Sequence, residues 1–171
     1  MTWTSPAPSP VDGPVVGPDR PMLEGYLAWQ RFTLLNICAG LTAEQLASRP
    51  IPSSNLSLLG LVRHVAKVER IWFRLRAAGE EIDPMYDVTL GKDHDFDDVD
   101  PTDAEAAIER LQEEVRRADA AAVPLDFDHP VPARDATYSL RMTYVHMIGE
   151  YARHNGHADL LREAIDGTTA R

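Results

Sequence analysis

The chain has 171 residues, of which 44% are hydrophobic, so it is long enough to bury a core and form one domain. It has no stretch of about 20 apolar residues that could span a membrane, and its N-terminus lacks the basic start and apolar run of a signal peptide. The formal net charge is −10, and no basic stripe offsets it. We therefore expect a cytoplasmic protein that binds neither a membrane nor nucleic acid.

The N-terminus differs in composition from the rest of the chain. Residues 1–20 contain five prolines and few apolar side chains, which predicts a flexible or extended arm. Residues 21–171 show no internal repeat and predict a single helical domain. The first helix of that domain is predicted to begin near Pro21 and to stop at Gly40.

Two residues on the apolar face of this first helix need an interpretation. Cys38 is the only cysteine, so an internal disulfide is excluded, and we interpret it as a small core residue rather than a reactive thiol. Gln30 interrupts the same face. It is either a core amide with its own hydrogen-bond partner or a polar group close to a functional site.

A second helix is predicted from about Ser57 to Ala78, and a strongly acidic segment follows it. Residues 80–103 hold ten acidic residues and one basic residue, which together account for nine of the ten net negative charges. We interpret this acidic linker as a solvated connection, with a lid over a nearby site as the alternative. It lacks the glycine and glutamate positions of an EF-hand loop, so we expect no specific calcium site.

Two further helices complete the pattern. The third is predicted to begin near Thr102, with Glu105 completing a capping box, and the fourth to run from Ser139 to Asp166. The intervening stretch, 123–138, contains three prolines and is predicted to be irregular. Four long helices without strand alternation predict an all-α fold, a four-helix bundle with long connections. A homodimer is the commonest oligomer for such a chain and is the expectation here.

Polar side chains form a stripe along the fourth helix. At about 100° per residue, His146, Glu150, His154 and His157 fall within roughly 80° of one another, and His154 lies deepest in the apolar arc. Glu150 and His154 are one turn apart and could bind the same metal ion. On the second helix, His64 lies among apolar residues, where an imidazole needs a polar partner. Two histidines and one carboxylate, with coordination positions left open, are typical of a catalytic metal site.

Each of these residues also has a simpler interpretation. His64 could be a core histidine whose ring nitrogens are satisfied by other protein groups. Glu150 could form a surface ion pair with Arg153 or His154. It is the combination of an inward histidine on one helix with an inward Glu/His pair on another that favours a metal site.

Two segments carry a resemblance to a known family. Residues 56–73, LSLLGLVRHVAKVERIWF, resemble the second helix of DinB-like bundle proteins, and residues 146–167, HMIGEYARHNGHADLLREAIDG, resemble their last helix. The run GLTAEQL after the first helix also fits, so the resemblance covers about residues 20–168. More narrowly, the chain resembles the actinobacterial branch related to mycothiol-dependent maleylpyruvate isomerase, although it lacks the additional C-terminal domain expected of that enzyme.

The resemblance implies a DinB-like four-helix bundle that binds one divalent metal ion, zinc or else nickel. In the isomerase branch a glutamate replaces the first histidine of the last helix, which implies that His64, Glu150 and His154 are the ligands here. It further implies a thiol transferase that joins mycothiol or a similar small thiol to an electrophile, with His157 and Tyr151 as candidate catalytic or substrate-contacting residues. A metal-dependent hydrolase and a non-enzymatic metal-binding stress protein are the alternatives.

Overall fold

The computed structural model describes residues 2–87, 89, 91, 93–134 and 136–169. The molecule is mostly helical, with one two-stranded sheet, which confirms the predicted all-α class. Its elements, in chain order, are α1 (Asp19–Cys38), α2 (Ala43–Ala47), α3 (Leu58–Glu69), a π-helical segment (Arg70–Ala77), α4 (His94–Asp97), a 3-10 turn (Pro101–Asp103), α5 (Ala104–Ala122), β1 (Pro130–Pro132), β2 (Thr137–Ser139) and α6 (Leu140–Asp166).

Short polar side chains set where the long helices begin. Ser57 and Ser139 each accept a hydrogen bond from a backbone N–H in the first turn of α3 and α6. The capping box predicted for Thr102 and Glu105 is wrong. Asp100 instead accepts hydrogen bonds from the backbone N–H and the hydroxyl of Thr102, and the 3-10 turn then leads into α5.

The second predicted helix changes its winding part of the way along. α3 continues without a break into the π-helical segment, where the N–H of Ala78 donates to the carbonyl of Phe73 over 2.9 Å, five residues back. The wider turn brings three consecutive side chains, Trp72, Phe73 and Arg74, into buried positions. Periodicity predicts the helix and its length but not this change of winding.

The stretch 123–138, predicted to be irregular, contains a small antiparallel hairpin. Val131 pairs with Tyr138 and is completely buried, while its neighbours Pro130 and Pro132 are exposed. A proline cannot donate to a strand ladder, but it is tolerated at the edge of a sheet. The sequence pattern did not predict this strand, because it has only three residues and two of them are prolines.

The bundle is built from two main helix pairs, α1 with α6 and α3 with α5. Large apolar side chains fill its centre, including the fully buried Leu27, Leu34, Leu61, Phe73 and Met147. Among the described residues, no helix is both long and apolar enough to cross a membrane.

Buried and partly buried ion pairs connect three of these helices. Arg31 of α1 donates to both carboxylate oxygens of Glu69, at 2.7 and 2.8 Å, and to Asp119 of α5 at 2.8 Å. On the other side of α5, Glu114 accepts from Arg74 at 2.8 Å. Glu69 is completely inaccessible to solvent, so its charge depends on Arg31 for compensation.

The N-terminal arm is attached to the bundle in its first part. The backbone N–H of Ser5 donates to Leu41 and its carbonyl accepts from Gly40, both over 2.9 Å. Further along, Gly13 lies against Gly25 of α1, where a Cβ atom on Gly25 would stand 2.9 Å from the Gly13 Cα. The absence of a side chain at both positions therefore permits the arm to approach the helix.

Candidate metal centre

Two helices bring three potential metal-ligating side chains together. His64 comes from α3, while Glu150 and His154 stand one turn apart on α6. Each offers one ligand atom, and these three atoms lie within 4.8 Å of one another. Along α6, His154 Nε2 is 3.6 Å from Glu150 Oε2. The structure thus groups the three side chains that the sequence analysis names as ligands.

The His154 side chain is in the protonation state that a metal ligand requires. Burial lowers the pKa of His154 to about 4, and the nearby His64 adds to this effect, while Glu150 opposes it. The imidazole is therefore neutral at neutral pH, which is the form that binds metals. Its Nδ1 atom is buried and has no hydrogen-bond partner among the described residues. A neutral imidazole whose Nε2 lies beside a carboxylate fits a divalent cation.

His64 is held from the side by a carboxylate of the acidic linker. Its Nδ1 lies 2.7 Å from Asp95 Oδ2, and Lys67 Nζ lies 2.6 Å from the same oxygen. Burial alone would raise the pKa of Asp95, but the hydrogen bonds from His64 and Lys67 outweigh it and lower that pKa. Asp95 is therefore ionised and accepts the Nδ1–H of His64, which leaves Nε2 as the nitrogen free to bind a metal.

The interpretation of the acidic linker as a solvated connection is wrong for its middle part. Phe96 of α4 stacks on the His64 ring, with the ring centroids 4.6 Å apart. Arg49 donates to the backbone carbonyls of Phe96 and Asp97, at 3.0 and 2.9 Å, and Arg63 to the carbonyl of Asp98. This part of the linker forms a wall of the site, and its alternative interpretation as a lid stays a prediction.

An aromatic cluster lies beside Glu150, on the side away from His154. His146 Nε2 is 4.0 Å from Glu150 Oε1, and the His146 ring lies 4.3 Å from the ring of Trp72. The guanidinium of Arg76 in turn covers Trp72 at 4.3 Å. Burial lowers the pKa of His146 and Arg76 lowers it further, whereas Glu150 acts in the opposite direction. Each oxygen of the Glu150 carboxylate thus faces a histidine.

The two candidate catalytic residues occupy different surroundings. His157 lies next to the site, with its ring centroid 5.6 Å from that of His154 and a buried Nδ1 that has no partner among the described residues. Tyr151 is completely buried in the core. Burial, followed by the negative charge of Glu69, raises its pKa well above the ordinary value. A contact between Tyr151 and substrate stays a prediction.

Two other polar residues of the first helix have structural roles. Gln30 accepts a hydrogen bond from Asn155 Nδ2 through its side chain, at 2.8 Å, and another through its backbone carbonyl, at 3.0 Å. The core-amide interpretation is therefore confirmed, and the bond supports the turn of α6 that carries His154. Cys38 is fully buried, and burial raises its pKa to about 12, as expected of an inert core thiol.

Comparison with known proteins is consistent with this geometry. The family model described as mycothiol-S-transferase matches residues 22–167, which is nearly the whole chain outside the N-terminal arm. No curated protein and no solved structure gives a significant match. Because the family model spans all four long helices and every candidate ligand, the chain belongs to the mycothiol-S-transferase family, within the DinB-like superfamily.

Proposed function

We propose that the protein is a divalent-metal-dependent thiol transferase that joins mycothiol, or a similar low-molecular-weight thiol, to an electrophilic small molecule. The observation that carries the proposal is the convergence of His64, Glu150 and His154, with ligand atoms within 4.8 Å of one another, in a chain of the mycothiol-S-transferase family. Two imidazoles and one carboxylate suit zinc, with nickel as the alternative.

Three protein ligands leave coordination positions open, which is typical of catalytic rather than structural metal sites. When bound, the divalent ion supplies Lewis acidity, which lowers the pKa of a thiol that reaches it. The protein's own residues contribute the rest. Asp95 accepts a hydrogen bond from His64, Glu150 supplies negative charge, and burial keeps His154 neutral at neutral pH.

We assign His157 as the group that receives the thiol proton, because its ring lies next to that of His154, with the centroids 5.6 Å apart. In the transfer, the thiol loses its proton to His157 and its sulfur forms a bond to an electrophilic carbon. The bond to the leaving group breaks, and that group departs with the electron pair. Tyr151 is retained as a candidate substrate contact.

The partners, the oligomeric state and the compartment of the protein are proposed as well. Its partners are one small thiol and one electrophile, and a homodimer is the proposed oligomer, the commonest arrangement for soluble proteins. The cytoplasm is the proposed compartment, because cells maintain their reduced small-thiol pools there.

A conjugation assay tests the proposed reaction. Mycothiol and a simple chromogenic electrophile are incubated with metal-free protein, with zinc-loaded protein and with zinc-loaded His157→Ala. We expect turnover by the loaded protein only, with His157→Ala at least tenfold slower although it retains its metal. Equal rates with and without metal would refute the mechanism. Turnover of thiol-free esters or amides by the loaded protein, without any conjugation, would favour a hydrolase.

A further inference from the structure

One acidic residue of the linker differs from all the others. Between residues 80 and 103 the chain carries ten acidic residues, and Asp95 is the only one of them that is buried, at 1% exposure. A buried carboxylate is costly unless it is paired and hydrogen-bonded. The linker nevertheless places Asp95 inside the protein. The groups that contact its carboxylate must therefore compensate for the cost of burying the charge.

The partners of Asp95 are a candidate metal ligand and a lysine, both on α3. A single oxygen, Oδ2, lies 2.7 Å from His64 Nδ1 and 2.6 Å from Lys67 Nζ. Because an ionised carboxylate can only accept, the proton of a neutral His64 must be on Nδ1. The lone pair of His64 is then on Nε2.

Separate anchors hold the backbone on both sides of Asp95. Arg49 donates to the carbonyls of Phe96 and Asp97, Arg63 to that of His94 at 3.4 Å, and Asn55 donates to the Asp97 side chain at 3.0 Å. The segment therefore has attachments to the bundle that do not involve Asp95. Asp95 is not required merely to keep the linker in place.

We infer that Asp95 is a positioning residue for the metal centre: it fixes the tautomer and the ring orientation of His64, so that Nε2 is presented to the divalent ion. The inference rests on the metal centre of the proposed function. Hydrogen-bond partners that orient a histidine ligand also increase its basicity, and their loss weakens metal binding by about 10- to 100-fold. Phe96, stacked on a face of the same ring, restricts the same rotation.

Zinc affinity, measured by competition with a chromogenic chelator, tests the inference. Asp95→Asn keeps the size of the side chain, and we expect it to bind zinc about 10- to 100-fold more weakly than wild type. The matched control is Asp98→Asn, three residues along the same linker, where the side chain is 73% exposed. It should bind zinc within about twofold of wild type. Unchanged affinity in Asp95→Asn would overturn the inference, as would an equal loss in both variants.

Nitrogen-15 NMR of the histidine rings provides a readout that a merely structural role would not change. In metal-free wild type we expect His64 to carry its proton on Nδ1, and in Asp95→Ala to shift towards the Nε2–H form. An Nε2–H tautomer in the wild type would overturn the inference. If zinc affinity and tautomer behave as expected but no thiol transfer is found, the proposed reaction fails and the role of Asp95 stands.

Discussion

The Glu150 carboxylate lies between two histidines of its own helix. His154 Nε2 is 3.6 Å from one oxygen and His146 Nε2 is 4.0 Å from the other. Only His154 belongs to the three-residue cluster that also contains His64. His157, one turn after His154 on α6, is the alternative to Glu150 as the third ligand. The two assignments give different expectations for single substitutions.

Glu150→Gln should weaken zinc binding more than His157→Ala does. The substitution removes the negative charge and the proposed anionic oxygen ligand, whereas His157 lies beside the proposed ligand set and outside it. Competition with a chelator at neutral pH measures both variants, and Glu163→Gln, on the exposed side of the same helix, is the matched control. A greater loss in His157→Ala would show that a third histidine, and not Glu150, is the ligand.

At the residue scale, the sequence predicted side-chain contacts within one helix but did not predict contacts between distant segments of the chain. Glu150 and His154 could be paired because a separation of four residues places them on one helix face. Asp95 could not be singled out, because it meets His64 across 31 residues of chain through an acidic linker without helical periodicity. The one available signal was Phe96, an aromatic residue among acids, which is unusual in a solvated segment.

The elements outside the four long helices are anchored to the bundle at specific points. α4 lies against α3 through Phe96, and the N-terminal arm lies against α1 through Gly13 and Gly25. Close approach of two backbones at a pair of glycines leaves no room for a Cβ atom. The packing of the arm is therefore sensitive to a small substitution at either glycine.

Gly25→Ala should release the arm from α1 without affecting the metal centre. An alanine Cβ would stand 2.9 Å from the Gly13 Cα, so one of the two segments must move. We expect limited proteolysis to cut the N-terminal arm faster, with zinc content unchanged. Gly156→Ala is the control, because a Cβ there meets nothing within 4 Å. Equal proteolysis rates for Gly25→Ala and wild type would contradict the packing of the arm.

Local chemistry determines where several of the helices begin and end. The capping box of Thr42 and Gln45 starts α2, and Gly167 ends α6 with a positive φ of 77°. The hairpin and the π-helical segment were missed because both depend on tertiary contacts. Val131 is a strand residue because it is buried against the bundle, a property that its two flanking prolines do not indicate.

At the scale of the whole molecule, ion pairs fix how the helices of the bundle are positioned along one another. Apolar packing alone would allow more than one such position. Arg31 joins α1 to the end of α3 through Glu69 and to α5 through Asp119. Arg31 binds both carboxylate oxygens of Glu69 in a bidentate geometry, which favours one relative position of the two helices. Tyr151 of α6 lies close to the same charges, and burial, followed by the negative charge of Glu69, raises its pKa.

Glu69→Ala should strongly destabilise the fold. Glu69 is completely buried, and its loss leaves the Arg31 guanidinium inside the bundle with Asp119 as its one remaining carboxylate partner among the described residues. Removing one member of a buried ion pair costs about 3–5 kcal/mol in the free energy of unfolding. Urea denaturation followed by circular dichroism measures this. Glu113→Ala, which breaks only exposed contacts with Arg116 and Arg117, should leave the midpoint unchanged. A midpoint shift as small for Glu69→Ala would contradict the structural role of the pair.

The metal content of the purified protein tests the central claim most directly. Elemental analysis by mass spectrometry should find about one divalent ion, zinc or nickel, per wild-type chain. His64→Ala and His154→Ala should each lose most of it, because each removes one of the three proposed protein ligands. Circular dichroism confirms that the variants remain folded. Full metal occupancy in either variant would contradict the assignment of this centre.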